Sequence, residues 1–148
     1  MNGMARVLAL DVGIKRIGMA MSDPLGITAQ GLPTLQRTKP EEDLKKLADL
    51  VREHAVATVV VGLPLQLDGN EGPAVVHIRA FIQTLAAALG PGVAIAEFDE
   101  RMTTAQARRD LRPLGRASDQ RRSGQLDRAA AQILLMNYLG ATRSRPPE

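Results

Sequence analysis

Acidic side chains stand at three places in this 148-residue chain where carboxylate chemistry could be carried out. Asp11 and the Asp99-Glu100 pair each follow an apolar run that predicts a strand, and Asp127 begins a predicted helix. In open α/β sheets the functional crevice lies beyond the carboxyl ends of the strands. If the first and fifth strands are neighbours, these acids converge. The helix would aim Asp127 at them, because its apolar stripe faces the sheet through Ala130, Ala131, Leu134 and Tyr138.

The composition restricts the chemistry that such acids could support. The chain has no Cys and only two His, which excludes disulfide scaffolds, Cys-zinc sites and thiol nucleophiles and disfavours a His-rich metal site. Carboxylates gathered at one point repel each other unless a divalent cation lies between them. We therefore predict Mg²⁺ or Mn²⁺ as the cofactor. Such ions activate a water molecule and stabilise the leaving oxygen of a phosphodiester.

Each acid also has a purely structural interpretation. Asp11 could shape the turn before Gly13, and Asp127 could be a helix N-cap. Asp99 could pair with Arg101 or a neighbouring Arg, and we favour this structural role for it. Adjacent strand residues point to opposite faces, so Asp99 and Glu100 are not expected to face one site together.

The order of apolar runs, turns and helical stripes predicts β-β-β-α-β-α-β-α-α, an α/β fold with a mixed sheet and helices on its faces. Residues 1–140 are predicted to form a single domain, and residues 141–148 a flexible tail. Residues 113–124 are predicted to form a mobile surface loop, and the last helix to span residues 127–139. The other predicted strands and helices are residues 6–11, 17–22, 27–35, 40–54, 57–61, 73–89, 93–98 and 103–112.

Charge is distributed unevenly along the chain. Residues 1–100 carry 9 Lys and Arg against 12 Asp and Glu, a net charge of −3, whereas residues 101–148 carry 10 Arg against 4 acids, a net charge of +6. An Arg-rich segment is either a nucleic-acid footprint or a solvated helical face. Aromatic residues are only 2% of the chain, which argues against recognition by base stacking.

Four segments together resemble the motifs of the YqgF/RuvX family of Holliday-junction-resolvase-like or pre-16S ribosomal RNA nucleases. They occur in the family's order and span nearly the whole chain, from residue 7 to residue 139. The segments are Asp11–Asp23, Gly62–Gly69, Asp99–Thr104 followed by Ala107, and Leu126–Ala131 followed by Ile133-Leu134.

This resemblance implies a ribonuclease-H-like fold of five strands, the first three antiparallel, with helices on both faces. It also implies that Asp11, Glu100 and Asp127 are the catalytic, metal-binding acids, which selects Glu100 over Asp99. The implied activity is hydrolysis of phosphodiester bonds in structured nucleic acid. The favoured reaction is maturation of the 5′ end of pre-16S rRNA, and the alternative is cleavage of branched DNA.

The chain departs from the family pattern at three positions. Ile14 stands where Thr is frequent, Gln66 where Asn is frequent, and Gln125 where Lys is common. The missing Lys could shift phosphate binding onto Arg122 or Arg128.

Two further arginines lie beside the proposed acids in the sequence. We hypothesise that Arg16 and Arg101 bind scissile or flanking phosphates. Equally, they could neutralise the acids as internal ion pairs.

Two other classes compete with a nuclease. The Asp-x-Gly hairpin also occurs in actin-like ATPases and sugar kinases, but the chain is short for their paired domains and contains no P-loop. The third class is a non-catalytic RNA- or ribosome-binding module that uses the Arg-rich third. The expected partners are nucleic acid and ribosomal particles, with no membrane contact, because the N-terminal apolar run is too short for a signal peptide or a span. We expect a cytoplasmic protein, either a monomer or a dimer.

Overall fold

The computed structural model describes residues 5–64, 72–99 and 119–143. Within the last of these ranges, it describes the side chains of residues 128–142. The elements are β1 (Arg6–Val12), β2 (Arg16–Ser22), β3 (Ala29–Gln36), α1 (Pro40–Glu53), β4 (Val56–Leu63), α2 (Pro73–Leu89), β5 (Ala94–Asp99) and α3 (Asp119–Arg143). The predicted helix over residues 103–112 lies outside the described residues.

The strands form one five-stranded sheet in the order β3-β2-β1-β4-β5. β1, β2 and β3 pair antiparallel, while β4 pairs parallel with both β1 and β5. The α/β, ribonuclease-H-like prediction is therefore confirmed, including the three antiparallel strands and the helices on both faces.

Strand alternation divides the core between the two faces of the sheet. On β1, Leu8 and Leu10 belong to the core beneath α1 and α2, whereas Ala9 belongs to the core beneath α3. The run Val59–Val61 on β4 is fully buried and supplies both cores. Such a two-sided apolar run is typical of a parallel strand covered by helices on both faces.

Local sequence explains the bounds of the first two helices. Pro40 begins α1, and acids in its first turn interact favourably with the helix dipole. Pro73 begins α2, and Gly90 ends it with a φ of 82°, a conformation that glycine adopts without strain. The predicted bounds of α2 are confirmed.

The last helix is longer than predicted. It begins at Asp119 and ends at Arg143, so the predicted loop is wrong over residues 119–124, and the predicted tail is helical over residues 141–143. Residues 119–126 are mostly polar and have no apolar stripe, although Gln and Arg are good helix formers. Asp127 consequently lies inside the helix, and its interpretation as an N-cap is wrong.

Asp23 organises the loop between β2 and β3. Its carboxylate accepts N–H bonds from Ile27 and Thr28, both at 2.7 Å, and from Leu25 at 3.3 Å. The Thr28 N–H is the main cause that holds the pKa of Asp23 below its usual value of 3.8, helped by the N–H groups of Ile27 and Leu25. Hydrogen bonds to the charged form of a carboxyl group favour that form.

We therefore expect Asp23→Asn to lower the urea midpoint of unfolding at pH 7, because the charged acceptor is lost. A lowered folded-state pKa contributes stability that is present above the unfolded-state pKa and disappears as the pH falls through the folded-state value. The difference between wild type and variant should thus hold from pH 7 down to about pH 4 and close in more acidic buffer. Urea titrations across this range check the expectation, and a gap that does not change with pH would contradict it.

Candidate metal and nucleic-acid site

Asp11 lies near the carboxyl end of β1, on the face of the sheet that α3 covers. It follows Ala9 by two residues and is half-buried. Its partner across the antiparallel pair is Gly18 of β2. On the other side Leu10 aligns with Val61, so that Asp11 lies level with Gly62 of β4. The residues level with Asp11 on both neighbouring strands are therefore glycines.

β4 lies between β1 and β5, so the condition that the first and fifth strands be neighbours is not met. The axes of β1 and β5 are about 9–10 Å apart, which is two strand spacings. The β4 residue between Asp11 and Phe98 of β5 is Gly62, which has no side chain. Phe98 of β5 lies beyond it and makes an edge contact with Tyr138 of α3, with ring centroids 6.0 Å apart.

Of the Asp99-Glu100 pair, the structure describes Asp99, the last residue of β5. Ile95 packs into the core under α1 and α2, whereas Ala96 and Phe98 pack under α3. By this alternation Asp99 belongs to the face opposite Asp11. Glu100 lies outside the described residues, and its assignment as a site residue stays a prediction.

Asp127 is placed by the backbone of α3. It lies one helical turn before Ala131, which is fully buried against the sheet. Its side chain lies outside the described residues. Among the described side chains, no group of three or more acidic or histidine residues is gathered. The complete three-acid site therefore stays a prediction.

The proposed phosphate-binding arginines lie at different positions on the sheet, and two of them fall outside the described side chains. Arg16, at the start of β2, shares the face of Asp11 by alternation and stands diagonal to it, two residues before Gly18. Arg128 lies over β3: a Cβ added to Gly31 would come within 2.6 Å of its Cδ. Arg101 and the side chain of Arg122 lie outside the described residues.

Sequence reasoning missed an arginine and an acid behind the turn that follows β1. Arg37 Nη1 donates to the Gly13 carbonyl at 2.7 Å, and its Nε lies 3.9 Å from Asp43 Oδ2. Asp43, in the first turn of α1, is 2% exposed, and such burial is rare for an acid. In the sequence it is only one of three consecutive acids after Pro40, and no spacing distinguishes it.

A cavity of about 1160 Å³ opens beside these groups, on the face opposite Asp11. It is lined by the β1–β2 turn and the first residues of α1 and α2, and Lys15, Arg37 and His77 are its basic lining residues. His77 is exposed.

Solved structures with the same fold show that this protein has a ribonuclease-H-like fold. The RuvC of Thermus thermophilus in complex with a Holliday junction substrate superposes with a TM-score of 0.61 at 14% identity, covering 97% of this chain and 99% of that one. The fowlpox virus resolvase in complex with Holliday junction DNA gives a TM-score of 0.55 at 14% identity, over 93% and 98% of the two chains. At this identity the likeness shows the fold alone.

The chain belongs to the RuvX family, whose model, described as Holliday junction resolvase, matches residues 5–141. A Myxococcus xanthus protein named "Putative pre-16S rRNA nuclease" is 46% identical over 143 residues, covering 97% of this chain and 91% of the relative. A Moorella thermoacetica protein of the same name is 45% identical, over 90% and 94% of the two chains. The family resemblance seen in the four motifs is confirmed.

No helix within the described ranges has the length and apolar character needed to cross a membrane.

Proposed function

We propose that this chain is a divalent-metal-dependent nuclease that matures the 5′ end of pre-16S rRNA. The observation that carries the proposal is the position of Asp11, half-buried at the carboxyl end of β1 between Gly18 and Gly62. Membership of the RuvX family supports nuclease chemistry.

The donor set fits Mg²⁺ or Mn²⁺, because a carboxylate oxygen is a hard ligand and both ions prefer such ligands. Asp11, Glu100 and Asp127 would hold the metal. A bound ion would supply an activated water and stabilise charge on the leaving oxygen.

Other groups of this chain would hold the substrate. Arg16 shares the face of Asp11 and would bind a phosphate beside the scissile one, since the guanidinium fork matches phosphate geometry. Gly18 and Gly62 would let the sugar-phosphate backbone approach the sheet closely. Phe98 and Tyr138 lie on the side of Gly62 away from Asp11, where their apolar rings would help to exclude water from the site.

RNA is the favoured substrate because the relatives that share 45–46% identity over almost the whole chain are named for pre-16S rRNA. Branched DNA is the second candidate, favoured by the family description. The Arg-rich third would contact either substrate through phosphates, and the scarcity of aromatic residues predicts little base stacking.

The test is a comparison of two substrates in one buffer. An RNA that carries the 5′ leader of pre-16S rRNA and a four-way DNA junction are incubated with the protein and Mg²⁺ or Mn²⁺, and a third arm contains EDTA. We expect cleavage of the RNA that depends on metal. Faster cleavage of the junction would favour the second candidate. Salt-sensitive binding that survives loss of Asp11, with no cleavage of either substrate, would identify a non-catalytic module instead.

A further inference from the structure

We propose that Arg37 is a positioning residue that fixes the β1–β2 turn and, through it, the metal-binding geometry of Asp11. The proposal rests on the function proposed above. Arg37 and its partner Asp43 lie outside the four motif segments of the sequence, and no role follows for them from the family resemblance.

Arg37 holds the turn at two points. Its Nη1 donates to the Gly13 carbonyl at 2.7 Å, and its backbone N–H donates to the Lys15 carbonyl at 2.9 Å. The side chain and the backbone of one residue thus hold both sides of a turn that begins two residues after Asp11.

The β1–β2 turn is tightly closed between Gly13 and Arg16. The Gly13 N–H donates to the Arg16 carbonyl at 2.8 Å, and a Cβ on Gly13 would lie 2.8 Å from that same oxygen. Residues 13 and 16 are therefore locked together. A displacement of Gly13 would move Asp11 on one strand and Arg16 on the other.

Arg37 is in turn held by groups on both helices of its face. Asp43 of α1 lies 3.9 Å from Nε, and the ring of Phe81 on α2 lies under the guanidinium, 5.5 Å from ring centroid to Cζ. These contacts orient the guanidinium fork toward Gly13 and leave its side chain 27% exposed. Arginine suits the task because its planar fork can serve a carbonyl, a carboxylate and a ring at once.

Asp43 connects this network of contacts to α1 from a buried position. Its side chain is 3% exposed, and Oδ1 accepts the N–H of Thr38 at 3.0 Å and the Thr38 hydroxyl at 3.3 Å. A buried carboxylate is tolerated only with such partners. This network links the N-terminal turn of α1 to the end of β3 and to the turn that follows Asp11.

The test compares Arg37→Met with Arg52→Met, the latter an exposed arginine on α1 that pairs with Asp49. Mn²⁺ affinity is measured by calorimetry, the RNA cleavage rate is resolved into kcat and KM, and amide hydrogen exchange is followed at residues 13–16. We expect Arg37→Met to weaken Mn²⁺ binding by about 10–100-fold, as is usual when a group that orients a metal ligand is lost. Exchange at the turn should become faster and kcat should fall, while Arg52→Met behaves as wild type and Arg37→Lys recovers part of the loss.

A variant with a lower melting temperature but unchanged Mn²⁺ affinity and unchanged exchange at the turn would overturn the proposal, since Arg37 would then be structural only. If Arg37→Met does not fold, the double variant Arg37→Met/Asp43→Asn is measured in its place. The second substitution removes the buried negative charge of Asp43, which the loss of Arg37 would leave without its cation. If the proposed function is wrong, the wild-type protein itself will bind no Mn²⁺ and cleave neither substrate. Amide exchange at residues 13–16 in Arg37→Met would then still show whether Arg37 fixes the β1–β2 turn.

Discussion

Replacing Asp11 by Asn is expected to lower the rate of metal-dependent cleavage at least about 100-fold. The amide keeps the size of the side chain but removes the charge that holds a divalent cation. Such a cation contributes several kcal/mol to stabilising a phosphodiester transition state, and each 1.4 kcal/mol corresponds to a tenfold change in rate. The loss should appear in kcat, measured with the RNA substrate at saturating Mg²⁺.

The sheet supplies a matched control at the same edge. Asp99 also ends a strand, but by alternation along β5 it belongs to the opposite face. We expect Asp99→Asn to cleave within a fewfold of wild type and Glu100→Gln to fall with Asp11→Asn. The reverse result would assign the metal to Asp99 and to the other face of the sheet.

Folding has to be separated from catalysis in this comparison. Asp11 is half-buried, so circular dichroism and melting temperature are recorded for each variant. Undiminished cleavage by a folded Asp11→Asn variant would rule out Asp11 as a metal ligand.

The second large effect is expected on stability. Leu135 of α3 is fully buried in the core that α3 forms with the sheet. Truncating such a leucine removes apolar contacts and leaves a cavity, and the usual cost is about 2–5 kcal/mol of unfolding free energy. Leu135→Ala should lose this amount in urea titrations analysed by linear extrapolation.

The adjacent residue is the control. Met136 is 56% exposed, so Met136→Ala should change the unfolding free energy by less than about 0.5 kcal/mol. Equal effects at the two positions would show that α3 does not pack on the sheet through Leu135. Because α3 carries Asp127, we also expect Leu135→Ala to bind Mn²⁺ more weakly at temperatures close to its own unfolding.

Much of the fold was predictable because it is encoded by neighbouring residues. The strand predicted over residues 57–61 lies within β4, and the helix predicted over residues 73–89 has the bounds of α2. The bounds of α3 were missed because residues 119–126 have no apolar periodicity, although they continue the helix. Asp11 was predictable as a site residue, since it is an acid at a strand end followed by glycine.

The sequence by itself determined the residue types of this protein: carboxylates in place of Cys and His, an Arg-rich last third, and the motifs that place it in the RuvX family. Only the tertiary structure decided that β4 separates β1 from β5, that glycines flank Asp11, and that Arg37 and Asp43 meet behind the β1–β2 turn. The reason is physical: strand order and such contacts depend on which separate segments pair and pack together, whereas local patterns record only what each segment buries.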